Sequence, residues 1–318
     1  MRFGTVDRVP YLEESLRAPV IAAWNRQGLP PGTDPECLFE FDRYEVLEPS
    51  LEPHPAPAQW PEVLGDVPSF RRLLDPADSS RLPADWRRTA RELRHRAHVA
   101  MLRVHDGLFL SLGVEGWGGF ERAIRLLTDA PRVVRALMEE KGWFAADLAA
   151  KMLKATEMDA AIFSEPISDN HGPLISPRMY QELVLPGYRP LIDVLRRHGV
   201  ETLIFRTYAN SRLLLPCLVR FGFNCLWAWE VSIQSMDYRE IRREFGRDLR
   251  LIGGIDLDAL RLGRDQIRRE ILAKVPPLLE EGGYIPLADG RIREDITFED
   301  YSYYRRFLAE VCTGMRVT

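Results

Sequence analysis

Sulfur is scarce in this chain. Its four cysteines, Cys37, Cys217, Cys225 and Cys312, are scattered over 318 residues. None forms a Cys-x-x-Cys pair, and no histidine is close enough in sequence to complete a local zinc cage, so they read as buried free thiols. Long apolar runs are also missing, which excludes a membrane-spanning helix. The N-terminal stretch MRFGTVDRVPYLEES lacks the basic start and apolar core of a signal peptide, and a cytoplasmic protein is expected. Neither sign of charge dominates: 43 Lys and Arg stand against 47 Asp and Glu, a net charge of −4. That balance favours neither nucleic acid nor an anionic membrane surface as partner and leaves small molecules and other proteins. No internal repeat or low-complexity tail is present, and no G-x-G-x-x-G follows the first apolar run.

The composition that is present, 46% hydrophobic and 28% charged, is that of a globular domain with a sizeable core. Residues 11–28, YLEESLRAPVIAAWNRQG, read as a helix ended by Gly28. From about 48 to 83 the chain is rich in proline and aspartate, which predicts irregular wrapping structure. After residue 84, short apolar runs alternate with amphipathic, helix-length stretches. The runs are GLFLSLG (107–113), DAAIF (159–163), ETLIF (201–205), NCLWAW (224–229), DLRLIGG (248–254) and GGYIP (282–286), and the helices 131–155, 177–198, 237–245, 265–281 and 298–311. Such alternation implies parallel βαβ units, and its repetition points to a single (β/α)8 TIM barrel, with 1–83 as an N-terminal helical and irregular extension and 84–318 as the barrel.

In a parallel barrel the chemistry sits on the loops that follow the strands. Glu165, Asp169, Asn170 and His171 follow DAAIF in the stretch FSEPISDNHGPLISPRMY. Arg206, Tyr208 and Asn210 follow ETLIF, Glu230 follows NCLWAW, Asp256 follows DLRLIGG, and Asp289 with Arg291 follows GGYIP. These acids, amides, arginines and one tyrosine are expected around one mouth. Each also has a plain structural explanation. Ser176-Pro177 reads as a helix start, Asp256 as the cap of LDAL, and Thr297 with Asp300 as a capping box. Gly253 and Gly254 suit a close approach or an unusual dihedral. His198 closes a helix, and His95 and His98 fit a basic, exposed helix. An arginine at a strand end can simply neutralise a nearby acid.

Several extended stretches resemble the uroporphyrinogen decarboxylase superfamily: HGPLISPRMYQELVLPGYRPLIDVLRRHGV, LRLIGGIDLDAL, EEGGYIPLADGRIREDITFEDYSYYRRFL and the N-terminal DRVPYLEESLRAPVIAAWNRQGLP. The resemblance implies a (β/α)8 barrel and a homodimer. It covers two kinds of enzyme. True uroporphyrinogen decarboxylases hold a multiply anionic tetrapyrrole through an arginine-bearing N-terminal motif and use an aspartate to stabilise pyrrole protonation. In AAWNRQGLPPG, Arg26 and Gln27 match that motif and the second arginine does not, and few other side chains replace an arginine against a carboxylate. The other kind are methyltransferases that work with corrinoid proteins, whose thiol-activating members hold zinc through a His-x-Cys pair and a later Cys. Here FRTYANS places Arg206 and Tyr208 at the paired positions, and IPLADGRI lacks the later Cys. Neither side chain replaces the zinc ligands, so no zinc and no tightly bound cofactor is expected.

The reading that follows is a zinc-independent methyltransferase acting on a small methylated substrate with a folate or a corrinoid presented by a partner protein. Glu165 would be its acid, with Asp169 or His171 setting the environment and Tyr208 donating a hydrogen bond; Asn170, Arg206, Asn210, Glu230 and Asp289 would bind substrate. The alternatives are decarboxylation of uroporphyrinogen or of a smaller carboxylated substrate, and a non-catalytic small-molecule binding protein.

Overall fold

The computed structural model describes the chain apart from residues 1, 2, 5–7, 15, 35, 36, 58, 59, 230–235 and 315–318. It divides into two compact units, one of residues 44–207 and 211–224, the other of residues 1–43, 208–210 and 225–318.

In the first unit β1 (Tyr44–Leu47), β2 (Val99–His105), β3 (Ala160–Glu165) and β4 (Thr202–Tyr208) pair in parallel in chain order, with Tyr44 opposite Val99, Met101 opposite Ala160, and Ala160 opposite Thr202. Consecutive residues such as Ala161, Ile162 and Phe163, or Leu203, Ile204 and Phe205, are all buried, so both faces of these strands are covered. Two helical segments make the crossovers. Pro131–Ala155 opens with a proline in its first turn, and Pro177 lies in the first turn of the next, where the Ser176 hydroxyl accepts from the Met179 amide at 3.2 Å. The second segment takes one π-helical turn at Tyr180–Val184 before continuing as Leu185–Arg197. The two cross where both carry glycine. A Cβ on Gly142 would stand 1.7 Å from the Gly187 carbonyl oxygen, and one on Gly187 would stand 2.4 Å from that of Met138.

In the second unit β5 (Cys225–Trp229), β6 (Arg250–Ile252) and β7 (Tyr284–Ile285) are likewise parallel in chain order. Its helices start where the capping residues predict: Asp237 accepts from Arg239 N, Asp256 from Asp258 N, and the Thr297 hydroxyl from Asp300 N at 3.0 Å. Gly253 and Gly254 have φ of +103° and +88°, and a side chain on Gly254 would strike the Tyr238 ring. Trp24, fully buried on the helix Ala18–Asn25, donates to the Ile296 carbonyl and packs against Phe298 and Tyr301.

The architecture is α/β, with the parallel strand–helix alternation of a TIM-like fold, and several expected elements are displaced. Seven strands form among the described residues where eight are expected. GLFLSLG is not a strand. Gly107 has φ +85°, and Leu108–Ser111 coil into a helical turn closed by Ser111 N and Oγ on the Gly107 carbonyl. The strand of that unit is VAMLRVH, whose Arg103 and His105 break up the apolar run. The short YEVL of β1, inside the region read as extension, pairs with β2. The helix expected over 11–28 is limited to Ala18–Asn25, its start set by Pro19. Within 48–83, Trp60–Leu64 and Val67–Arg72 are helical, the latter capped by Asp66. The helix thought to carry His95 and His98 ends at Leu93, and His98 Nε2 lies 3.0 Å from Glu45 Oε2. Among the described residues no helix is long and apolar enough to cross a membrane.

Candidate functional site

The carboxyl ends of β1 and β2, both in the first unit, open onto a cavity of about 420 Å³, within the range that holds small ligands. Glu48 to Glu52, which follow β1, line it together with Arg81, Arg103 and Asp106. Arg103 reaches two acids, its Nη1 3.1 Å from Glu48 Oε1 and its Nη2 3.1 Å from Asp106 Oδ1. Asp106 is buried, and its Oδ1 accepts no hydrogen bond. The guanidinium therefore approaches that oxygen as a charge without aiming an N–H at it, which leaves the oxygen available to a second partner. Arg81 is a wall element. It is 1% exposed and donates to the backbone carbonyls of Glu52 and Leu73, while its own carbonyl accepts from Ser50 N, so it ties the loop after β1 to the chain around Leu73.

Two basic groups stand behind Asp106. Lys141, on Pro131–Ala155, is buried and donates to the Leu51 carbonyl. Burial pushes its ammonium down to about 8, against the pull of the Asp106 charge. His105 is fully buried. Its Nδ1 accepts from Gly107 N at 2.9 Å, so the neutral ring carries its proton on Nε2, which has no partner. Burial, helped by the charge of Lys141, holds this imidazole well below its ordinary value, and it stays neutral.

Glu165 ends β3 and is fully buried. Oε1 accepts from Leu108 N at 2.8 Å, and Oε2 accepts from the hydroxyls of Tyr180 at 3.0 Å and Tyr188 at 2.5 Å. Tyr180 and Tyr188 are eight residues apart, which in a regular helix leaves them about 80° out of phase. The π-turn between them absorbs one residue and brings both to about the same face, which is how two hydroxyls meet one oxygen. Burial raises the Glu165 carboxyl to about 7 in spite of these three donors, each of which favours the charged form.

The other expected site residues divide. Asp169 and His171 do not surround Glu165. Asp169 Oδ1 accepts from the amides of His171 and Gly172, with His171 Nδ1 at 3.7 Å, in an exposed turn where the His171 side chain is 95% accessible. Those two amide hydrogen bonds hold the Asp169 carboxyl below its ordinary value. A short polar side chain closing its own loop explains the cluster, because the turn needs its amides paired more than it needs chemistry. Asn170 is exposed beside them. Arg206 lies half-buried on β4, opposite Ser164. In the second unit Tyr208 meets Trp229 edge to face at 5.1 Å, Asn210 is half-buried, and Ala209 between them takes φ +52°, a strained value for a residue with a side chain. The Arg291 guanidinium lies over the Trp229 ring at 5.8 Å. Asp289 is buried, and its Oδ1 accepts from Leu257 N, a helix-capping role. Glu230 lies outside the described residues.

No group of three or more His, Cys, Asp or Glu side chains among the described residues is placed to share a metal ion. Arg206 and Tyr208 are not ordinary zinc donors.

The model of one protein family, described as Uroporphyrinogen decarboxylase (URO-D), matches residues 110–286, more than half of the chain. The chain belongs to the uroporphyrinogen decarboxylase family. A search of curated proteins finds no match to it. The matched stretch contains Glu165, Tyr180, Tyr188 and Arg206 and begins four residues after Asp106, so membership of the URO-D family and the cavity around Asp106 are independent observations. Sequence reasoning missed Asp106, His105 and Arg103 because it placed the strand at 107–113, and Lys141 because nothing local marks a lysine on the helix 131–155 as buried. The His-Asp pair that closes VAMLRVHD was the available signal, since it falls at a strand end once the strand is moved back by one segment.

Proposed function

We propose that this URO-D family member is an enzyme of the (β/α)8 type that decarboxylates a small, carboxylated, electron-rich ring such as a monopyrrole, at the cavity beside Asp106. The observation that carries the proposal is Asp106 itself: a buried carboxyl at a strand end, lining a cavity, with one oxygen left without a hydrogen bond next to the Arg103 guanidinium. Arg103 is the cation at the cavity, and a substrate carboxylate reaches it by displacing Glu48 from Nη1. A proton delivered from solvent adds to the ring carbon that bears the carboxyl group and creates a cation. The Asp106 carboxylate stabilises it, the C–C electron pair of the departing carboxylate returns to the ring, CO2 leaves, and the ring is neutral again with hydrogen in place of the carboxyl group.

A small substrate is favoured over a tetrapyrrole by the N-terminal motif. Gln27 uses its Oε1 to accept from Phe298 N at the start of the C-terminal helix, and Arg26 is exposed at the end of Ala18–Asn25. One of the two residues that match the anionic-substrate motif is thus committed to holding a helix.

The test is CO2 release from a carboxyl-labelled monopyrrole and from labelled uroporphyrinogen, run beside methyl transfer from methylcobalamin to tetrahydrofolate. We expect CO2 from the monopyrrole, reduced by about two to four orders of magnitude in Asp106→Asn with the melting temperature held. Demethylation of methylcobalamin with no CO2 release from either ring would replace this reading with zinc-independent methyl transfer alongside a corrinoid protein.

A further inference from the structure

Both amides that follow Asp106 are held by buried side chains. Gly107 N donates to His105 Nδ1 at 2.9 Å, and Leu108 N donates to Glu165 Oε1 at 2.8 Å. The turn is pressed against Glu165 as well as bonded to it. A Cβ on Gly107 would stand 2.4 Å from Glu165 Oε1 and 2.7 Å from the Ser164 carbonyl, and φ there is +85°. A register shift between Arg103 and His105 in the pairing of β2 with β3 re-aims the end of the strand just before this turn. Behind Glu165, Tyr180 and Tyr188 fix the carboxyl from the helical side, and the Tyr188 ring packs against His105 at 4.6 Å.

We infer that Glu165 is a positioning residue for Asp106: held by Tyr180 and Tyr188, it grips the Leu108 amide and thereby sets where the 106–108 turn points the Asp106 carboxyl into the cavity. The inference rests on the reading in which Asp106 carries the reaction, and it gives Glu165 a part other than that of the acid that touches substrate, since the carboxyl is fully buried and all three of its donors come from the protein. Three donors and no acceptor are the hydrogen-bond pattern of a carboxylate. When the group takes up a proton, one donor loses its acceptor and the grip on the turn slackens. The titratable groups facing Glu165 are Tyr180, Tyr188 and His105, with Asp106 and Lys141 beyond. The tyrosines are raised well above their ordinary value by burial and His105 is held neutral, so of Glu165 and the three groups facing it the one that changes charge around pH 7 is Glu165, with Lys141 following at about 8.

The experiment follows the Asp106 carboxyl carbon by NMR from pH 5.5 to pH 9 in wild type, Glu165→Gln and Tyr188→Phe, and needs no substrate. We expect the Asp106 resonance to show an inflection near 7 in wild type, none there in Glu165→Gln, and one displaced upward in Tyr188→Phe, which removes a donor that favours ionised Glu165. An Asp106 curve in a folded Glu165→Gln protein that overlays the wild type overturns the inference, and if that variant does not fold, an unmoved inflection in Tyr188→Phe does the same. With the labelled monopyrrole, kcat should fall about tenfold to a hundredfold in Glu165→Gln at unchanged KM, the cost of a misplaced catalytic group. Full turnover by Asp106→Asn would remove Asp106 from the reaction and leave the NMR result to judge the positioning on its own.

Discussion

Replacing Glu165 by glutamine should make the chain less stable than wild type in acid and more stable in mild alkali. Burial raises the folded carboxyl from 4.5 to about 7. Between those values the unfolded chain has released its proton and the folded one has kept it, so wild-type stability falls as pH rises through this window. At about 1.4 kcal/mol for each pH unit the whole loss is about 3 kcal/mol, most of it between pH 5 and pH 8. Glutamine does not titrate. Its carbonyl oxygen still accepts from one side, while its NH2 replaces an acceptor and forces a tyrosine hydroxyl to turn, at a cost of about 1 kcal/mol. The variant should therefore lie about 1 kcal/mol below wild type at pH 4, near it at pH 5 and about 2 kcal/mol above it at pH 8. Glu13, whose carboxyl is likewise raised by burial to about 7, is present in both proteins and cancels from the difference. Chemical denaturation of the two proteins at all three pH values, followed by far-UV circular dichroism, gives the comparison. A stability difference that stays constant from pH 5 to pH 8 would show that Glu165 ionises alike in folded and unfolded chains, and would refute the argument from burial.

Two further outcomes are expected. Gly142→Ala, a change that stabilises most helix interiors by about 1 kcal/mol, should here cost about 3 kcal/mol or more, because the new Cβ meets the Gly187 backbone carbonyl and no flexible side chain; an unfolding midpoint equal to or above wild type would show that the two helices can slide apart. Purified protein should carry no stoichiometric zinc and lose no stability on chelation, since no group of three or more His, Cys, Asp or Glu side chains among the described residues is placed to share a metal ion, and elemental analysis giving about one zinc per chain would contradict this.

Sequence alone determined the elements whose signals are local. The helix at 131–155, the helical stretch read over 177–198, the caps at Ser176, Asp256 and Thr297, and the apolar runs 159–163 and 224–229 that fall in strands depend on periodicity and on side chains acting within a turn of themselves. The family was legible for the same reason, since its motifs are long and ordered. Where an apolar run carries no period, sequence does not choose between strand and buried helical turn, so GLFLSLG reads as a strand and hides Asp106 behind it. The acids, amide and histidine of FSEPISDNHG were read as one cluster because they are neighbours in sequence. In the fold Glu165 points inward to Tyr180, Tyr188 and Leu108, and Asp169, Asn170 and His171 stay at the surface. Only tertiary structure could make that division, because burial, which raises the Glu165 carboxyl and holds His105 neutral, is a property of everything packed around a group and of nothing beside it in the chain.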